Sequence, residues 1–204
     1  MPARIDAQQR RQHVVGAAFR LVVAEGLEGM SLRKVAAEAE LNIGSVRHYF
    51  DNHHDLVTAA VHETGDRMGR RLAKHTPESL VGLRGEAAID ALQALVEEVL
   101  PVDDARRAEA AVLLEFMIAA RTKPVFRPVT EQMAADLHQL LADALDALGV
   151  THVQGEADRL MALIGGLTID TVTPHGSLGV DRLRATLRAH LGAVLATREE
   201  CPRR

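Results

Sequence analysis

The chain has 204 residues, of which 47% are hydrophobic and 25% charged, so it can bury a core and is too apolar for general disorder. Aromatic residues make up 2%, and the net charge of −4 gives no bulk attraction to nucleic acid. The single Cys201 excludes an internal disulfide, and we find neither a signal-peptide core nor an apolar run long enough to span a bilayer. We therefore expect a cytoplasmic protein with no membrane partner.

The first two helices are predicted from apolar spacing and from residues that start or end helices. Apolar side chains recur at helical intervals over residues 7–25, after which Gly26 and Gly29 predict a helix end and a turn. Ser31 is a favourable N-cap for the second helix, which we expect to break at Glu40–Leu41.

The next two helices are predicted from their capping residues. Asn42 can cap a helix of barely two turns, in which Val46 and Phe50 lie one turn apart and face inward. Asn52 can cap a longer fourth helix, and Asp55 at its third position suits the positive end of the helix. We expect this fourth helix to end at the His-Thr-Pro tripeptide that follows it.

Five more helices are predicted in the rest of the chain, separated by proline and glycine. Their expected bounds are 84–100, 103–122, 124–148, 155–173 and 180–197. No stretch alternates in the manner of a β-strand. The sequence therefore predicts an all-α fold of about nine helices, with a three-helix helix-turn-helix domain at residues 1–53 and a larger helical domain at residues 54–204.

A helix-turn-helix binds DNA by placing a short second helix in the major groove while the preceding helix crosses the backbone. The short helix from Ile43 to Phe50 suits that role, because its outward side chains are small or polar. On spacing alone, an ordinary helical corner explains the segment equally well.

The amino-acid sequence of this segment resembles that of the DNA-binding domain of the TetR (tetracycline repressor) family. The resemblance rests on AEGLEGMS, LRKVAAEAELN and GSVRHYFDNHHDL, and covers about residues 10–60. It implies a sequence-specific transcriptional regulator, usually a ligand-responsive homodimeric repressor of a palindromic DNA operator. The stretch GGLTIDTVTP and the leucine-rich last helix are similar to the C-terminal domains of BetI-like members. No enzyme activity, cofactor or metal is implied.

The resemblance also implies which residues contact DNA. Ile43 suits a thymine methyl group, Arg47 can read guanine through a bidentate pair, and His53 stands where the family has a lysine. The Ser31 hydroxyl and the Arg33 guanidinium, at the start of the helix that crosses the DNA backbone, would contact phosphates. The predicted contacts are Ser31, Arg33, Ile43, Gly44, Ser45, Arg47, His48, Tyr49 and His53.

Two departures from the family and one basic segment lead to further expectations. Members often have glycine where this chain has Glu40, so we expect Glu40 at positive φ, at a cost on the order of 1 kcal/mol. Histidine changes charge near neutral pH, so a phosphate contact by His53 would make DNA affinity depend on pH. Arg4, Arg10 and Arg11 either reach DNA or form a solvated charge cluster.

The last two helices carry apolar residues on more than one side, including the stripe formed by Leu183, Leu187 and Leu191. A helix that is apolar on two faces needs a second partner, and Gly165–Gly166 allow close approach. The resemblance implies that this partner is a second copy, meeting in a four-helix bundle. A single thick monomeric core is the alternative.

Polar residues on otherwise apolar helices are the candidates for a pocket that binds an unknown small-molecule effector. The polar candidates also have simpler structural explanations: Glu115 could form a buried ion pair, His138 could be a core histidine with its hydrogen bonds satisfied, and Asp170 could be a charge at the end of a helix. The candidates are Glu115, Phe116, Met117, Arg121, His138 and Asp170. The alternatives to a ligand-responsive repressor are a helical small-molecule binding protein and a ligand-independent DNA-binding protein.

Overall fold

The computed structural model describes residues 7–174 and 178–196. These residues form α-helices and two 3₁₀ helices with no strand among them, which confirms the predicted all-α fold. Arg4, Thr197 and Cys201, on which parts of the sequence analysis depend, lie outside the described residues. The helices are α1 (Ala7–Gly29), α2 (Leu32–Glu38), α3 (Ile43–Arg47), α4 (His53–Leu72), α5 (Gly85–Glu97), α6 (Asp104–Thr122), α7 (Arg127–Ala147), α8 (Val153–Val172) and α9 (Val180–Ala196), with 3₁₀ helices at Pro77–Leu80 and Pro124–Phe126.

The chain divides into two compact units that do not follow a single cut in the sequence. The first unit comprises Met1–Arg67 and Ala111–Arg127, and the second comprises Met68–Ala110 and Pro128–Arg204. Helices α4 and α6 therefore each contribute residues to both units. The functional division predicted at residues 53 and 54 stays a prediction. In the part of the chain that the structure describes, no helix combines the length and apolar character needed to cross a membrane.

The caps predicted for the first unit are present in the structure. The Ser31 hydroxyl oxygen accepts a hydrogen bond from the Lys34 amide at 3.2 Å, and the Asn52 side chain accepts one from the Asp55 amide at 3.0 Å. Gly26 interrupts α1 with φ 72°, and one further turn follows it. Each cap satisfies an amide that a helix start would otherwise leave unpaired.

The turn between α2 and α3 has the backbone geometry that the sequence predicted. Glu40 has φ 53°, in the left-handed region. Its amide donates to Ala37 O at 3.0 Å, and the Leu41 amide donates to Ala36 O at 2.8 Å. These two bonds form a Schellman ending, in which glycine is the usual residue because it has no Cβ to strain.

The second unit has its own hydrophobic core, built mainly from α5, α7, α8 and α9. Leu183, Leu187 and Leu191 are completely buried in this core. The leucine stripe of α9 is therefore covered by the chain itself and does not, on its own, require a second copy. Any surface that α9 offers to a partner lies on its opposite side.

A cluster of charges joins the C-terminal end of α4 to the start of α6 within the second unit. Arg71 donates to both oxygens of Glu109, at 2.6 and 3.2 Å, and Glu109 is only 5% exposed. Glu98 lies 2.5 Å from Arg106 and 3.3 Å from both Arg71 and His75. Burial raises the pKa of the Glu98 carboxyl, but hydrogen bonds and charge from His75 and Arg106 lower it below its usual value overall.

We predict that Glu40→Gly stabilises the protein. Relief of the left-handed strain is worth on the order of 1 kcal/mol, which raises the melting temperature by roughly 2–4 °C in a chain of this size. Glu40→Ala is the matched control, because alanine keeps the Cβ and should bring no gain. Thermal unfolding followed by circular dichroism measures both variants, and equal melting temperatures for Gly and Ala would contradict the prediction.

A second prediction concerns acid stability. Because the pKa of Glu98 is lower in the folded chain than its usual value of 4.5, its contribution is present above that pH and is lost as the pH falls through the folded value. Glu98→Gln should therefore lower the melting temperature at pH 7 and lose less on acidification than the wild type. Melting curves between pH 7 and pH 3 test this. Glu131→Gln, an exposed residue of α7, is the control, and parallel pH profiles for Glu98→Gln and wild type would refute the effect.

Candidate nucleic-acid interface

The short helix α3 is held in place by its cap and by two buried side chains. The Asn42 side-chain oxygen accepts the Ser45 amide at 2.8 Å and lies 3.2 Å from the Ser45 hydroxyl. Val46 is completely buried, Phe50 is 2% exposed, and the Arg11 guanidinium lies 5.2 Å from the centre of the Phe50 ring. One side of α3 thus packs in the core, and the other side faces solvent.

The solvent side of α3 carries the residues that the sequence predicted to face DNA. Gly44, Arg47 and His48 are exposed, Ile43 is 38% exposed, and Ser45 and Tyr49 are half-buried. The His48 and Tyr49 rings meet edge to face, with their centres 4.9 Å apart. A shallow concavity of about 320 Å³ is lined by Arg10, Asn42, Gly44, Ser45, His48 and Tyr49.

Arg10 is the residue of this surface that the sequence left undecided. It lines the concavity beside α3, although it belongs to α1 and lies more than thirty positions earlier in the chain. The approach of α1 to α3 is a tertiary contact, and neither periodicity nor capping indicates it.

Nearby charges are arranged so that two arginines remain available. Arg20 pairs with Glu38 at 2.6 Å, and Lys34 pairs with Glu25. Arg33 and Arg47 are exposed and have no hydrogen-bond or ion-pair partner within residues 7–174 and 178–196. Guanidinium groups without a protein partner can bind phosphate or the edge of guanine. The Ser31 hydroxyl, by contrast, already serves as the cap of α2.

His53 is used within the protein. It is the first residue of α4, it is half-buried, and its Nε2 lies 3.3 Å from the Leu27 carbonyl oxygen at the end of α1. The phosphate contact predicted for His53 stays a prediction, and in this structure Nε2 is directed toward α1.

The six residues proposed for an effector pocket are divided between the two units. Glu115, Phe116, Met117 and Arg121 belong to the first unit, and His138 and Asp170 to the second. Phe116 is completely buried, with its ring 4.7 Å from that of Phe126, whereas Met117 is 54% exposed and Arg121 is exposed.

The polar members of this set have environments that the sequence did not specify. Glu115 is an exposed carboxylate and not part of a buried ion pair, and it accepts the Leu27 amide at 3.4 Å. His138 is half-buried and lies 3.0 Å from Asp158, and Asp170 is exposed at the end of α8. The pocket itself stays a prediction.

Comparison with known proteins identifies both parts of the chain. Residues 14–60 match the family model of bacterial regulatory proteins of the tetR family, and residues 88–196 match that of the C-terminal domain of BetI-type transcriptional repressors. The chain is 26% identical to the HTH-type transcriptional regulator PksA of Bacillus subtilis, over 95% of this chain and 94% of that protein.

Two further similarities cover almost the whole chain. The HTH-type transcriptional regulator BetI of Burkholderia thailandensis is 25% identical, over 97% of this chain and all of that protein. The crystal structure of a transcriptional regulator from Rhodococcus sp. Rha1 superposes with a TM-score of 0.82 at 26% identity, covering 94% of this chain and 99% of that chain.

The role of Asn42 can be tested with one variant that removes the cap and one that keeps a cap but adds a negative charge. Asn42→Ala removes the cap and should cost about 1 kcal/mol of stability. Asn42→Asp keeps a capping oxygen but puts a negative charge on the surface proposed to meet phosphate, so it should melt near the wild type and bind DNA more weakly. Melting curves and DNA titrations of both variants check this. An Asn42→Asp protein that binds DNA as tightly as the wild type would show that Asn42 does not face the DNA.

Proposed function

The chain belongs to the TetR family of bacterial regulatory proteins, and from that premise we propose that it is a homodimeric repressor that binds a palindromic operator and releases it when a small molecule binds. Like its relatives, it is a DNA-binding transcriptional regulator and not an enzyme. We propose the cytoplasm as its location, because bacterial operator DNA lies there. The main structural support for operator binding by α3 is its exposed polar side, which lies opposite the buried Val46 and Phe50.

In this proposal α3 enters the major groove and α2 crosses the backbone. Ile43 and Arg47 face base edges, with Arg47 pairing to a guanine, and Gly44 allows close approach. Phosphates are bound by the remaining contact positions, Ser31, Arg33, Ser45, His48, Tyr49 and His53, and we add Arg10 because it lines the same concavity. The DNA-binding part corresponds to residues 1–53, and the rest of the chain regulates it.

We propose that the dimer forms through the sides of α8 and α9 that face away from the core of the second unit. On α8 this side includes Ala162, Gly166 and the exposed Ile169, and on α9 it includes Ala185 and Ala189. A Cβ added at Gly166 would meet nothing within 4 Å. Small side chains let two helices approach closely, and a two-fold dimer suits a DNA site with two half-sites.

For the effector we retain a pocket within one of the two helical units, lined either by Glu115, Phe116, Met117 and Arg121 of the first unit or by His138 and Asp170 of the second. Effector binding would change the tilt of α4, which begins next to the DNA-binding helices and contributes to both units.

The experiment that tests the function uses the intergenic DNA beside the protein's own gene. A palindrome found there is labelled, and fluorescence anisotropy compares it with a scrambled duplex over a range of salt concentrations. We expect binding of the palindrome that is tighter by about a thousandfold or more and that weakens with salt. Equal affinity for both duplexes would contradict sequence-specific binding.

Arg47→Ala tests direct base reading. Loss of a bidentate guanine contact should weaken operator binding by about 1–3 kcal/mol and remove the preference for G at one position of each half-site. Arg33→Ala is the matched control, since a phosphate contact should weaken all sequences alike and reduce the salt dependence. Both variants and the wild type are titrated against four operators that differ only in the base at that position, and their affinities are compared. If Arg47→Ala weakens every operator equally, Arg47 binds only phosphate.

Gly166→Glu tests the dimer surface. A charged side chain at a close helix contact should shift the protein toward monomers at micromolar concentration, because burying unpaired carboxylates is costly. Gly69→Glu is the control, as its Cβ position on α4 is equally open and lies outside the proposed interface. Sedimentation velocity gives the masses, and a dimeric Gly166→Glu protein would argue against this interface.

A further inference from the structure

We propose that operator affinity depends on pH through His48, which takes up a proton from solvent when a DNA phosphate enters the concavity beside α3. The inference rests on the proposed operator binding and adds a regulation of the same surface. His53 is the histidine that the sequence indicates for such a role. The structure favours His48, because its imidazole is open to an anion and it lines a concavity that also carries Arg10.

The two histidines differ in what their ring nitrogens already bind. His48 directly follows α3 and is exposed, and its ring meets that of Tyr49 edge to face with 4.9 Å between the centres. In the part of the chain that the structure describes, neither nitrogen of His48 has a hydrogen-bond or ion-pair partner. His53 is half-buried, and its Nε2 lies 3.3 Å from the Leu27 carbonyl oxygen. His48 is therefore the histidine that can bind a phosphate without giving up a contact within the protein.

The concavity beside α3 has the room and the donor groups for a phosphate. Its volume is about 320 Å³, and Arg10 and His48 contribute a guanidinium and an imidazole to its lining. Ser45 and Tyr49 contribute hydroxyl groups. Side chains of these kinds bind phosphate oxygens in protein–DNA complexes. No carboxylate of the described residues lines the concavity, so an anion placed there would meet no competing negative charge in its lining.

His48 is also the group of this lining whose charge changes near neutral pH. Arginine, lysine and carboxylate groups keep their charge between pH 6 and pH 8, and tyrosine stays neutral, whereas histidine titrates in that range. The other charged or titratable residues on and around α3 lie outside the lining, namely Arg11 and His13 of α1, Arg33, Lys34 and Glu38 of α2, Glu40 in the turn, Arg47 of α3, and Asp51 and His53 after it. A proton gained or lost in the concavity over this range is therefore gained or lost by His48.

The direction of the effect follows from the charge of phosphate. A phosphate beside an imidazole favours the protonated form, so the complex binds more protons than the free protein and the free DNA together. Affinity should therefore fall as the pH rises, by about tenfold from pH 6 to pH 8, or roughly threefold for each of the two copies on a palindrome. Each charged contact also adds about 0.9 to the dependence of log affinity on log salt, so that dependence should be steeper at pH 6 than at pH 8 by up to about two.

The test uses His48→Gln, His48→Arg and, as the matched control, His53→Gln. Each protein is checked for folding by its melting curve and titrated with the labelled palindrome at pH 6, 7 and 8 over a range of salt concentrations. His48→Gln cannot gain the charge, so it should show the weaker affinity and the shallower salt dependence at every pH. His48→Arg is charged throughout and should keep the steeper salt dependence from pH 6 to pH 8. His53→Gln should keep the pH dependence of the wild type.

Three results would overturn the inference: wild-type affinity that is constant between pH 6 and pH 8, a His48→Gln protein with the pH dependence of the wild type, or loss of that dependence in His53→Gln. If His48→Gln binds too weakly to be titrated, His48→Arg decides. Affinity that stays constant with pH in His48→Arg supports the inference, whereas a fall like that of the wild type, or no measurable binding, refutes it. A wild-type protein that cannot distinguish the palindrome from a scrambled duplex at pH 6 would instead contradict the proposed function.

Discussion

Helix α3 has only five residues, and a helix of this length gains too little from its own hydrogen bonds to persist in water. Its form and direction must come from what lies behind and beside it. Val46 and Phe50 anchor it in the core, the Asn42 side chain accepts the Ser45 amide, and the left-handed turn at Glu40 sets its direction after α2. The rest of the first unit can be understood as the support that this short helix requires.

The support extends back along the chain to Leu27. Its amide and carbonyl groups lie within hydrogen-bonding distance of α6 and α4, the two helices that contribute residues to both compact units. Both contacts lie within the first unit, and they fix the end of α1 directly before the cap of α2.

Local charge also explains how a chain with a net charge of −4 can present a surface for DNA. Glu25 and Glu38 are neutralised by Lys34 and Arg20, which leaves the exposed Arg33 and Arg47 without a competing carboxylate partner in the described residues. Attraction to phosphate decays within about 10 Å at moderate salt, so the pairing near α3 matters more than the total charge.

Local features of this fold could be predicted from the sequence, because caps, apolar spacing and helix-ending residues act over one or two turns. Ser31, Asn42 and Asn52 cap the helices as expected, and Glu40 has the positive φ that its place in the turn indicated. The contact of Glu115 with Leu27 could not be predicted, because it joins positions 88 apart in the chain. Periodicity shows that the α9 leucines are buried, but not whether their partner is the same chain or a second copy.

In the proposed complex, two copies of α3 read one palindrome at a fixed separation. Hydroxyl-radical footprinting of the operator bound by the full chain tests it directly, because it maps contacts along both strands. We expect two protected blocks on one face of the duplex, with centres one helical turn of about 10 base pairs, or a multiple of it, apart. One protected block, or continuous protection without a two-fold pattern, would contradict it.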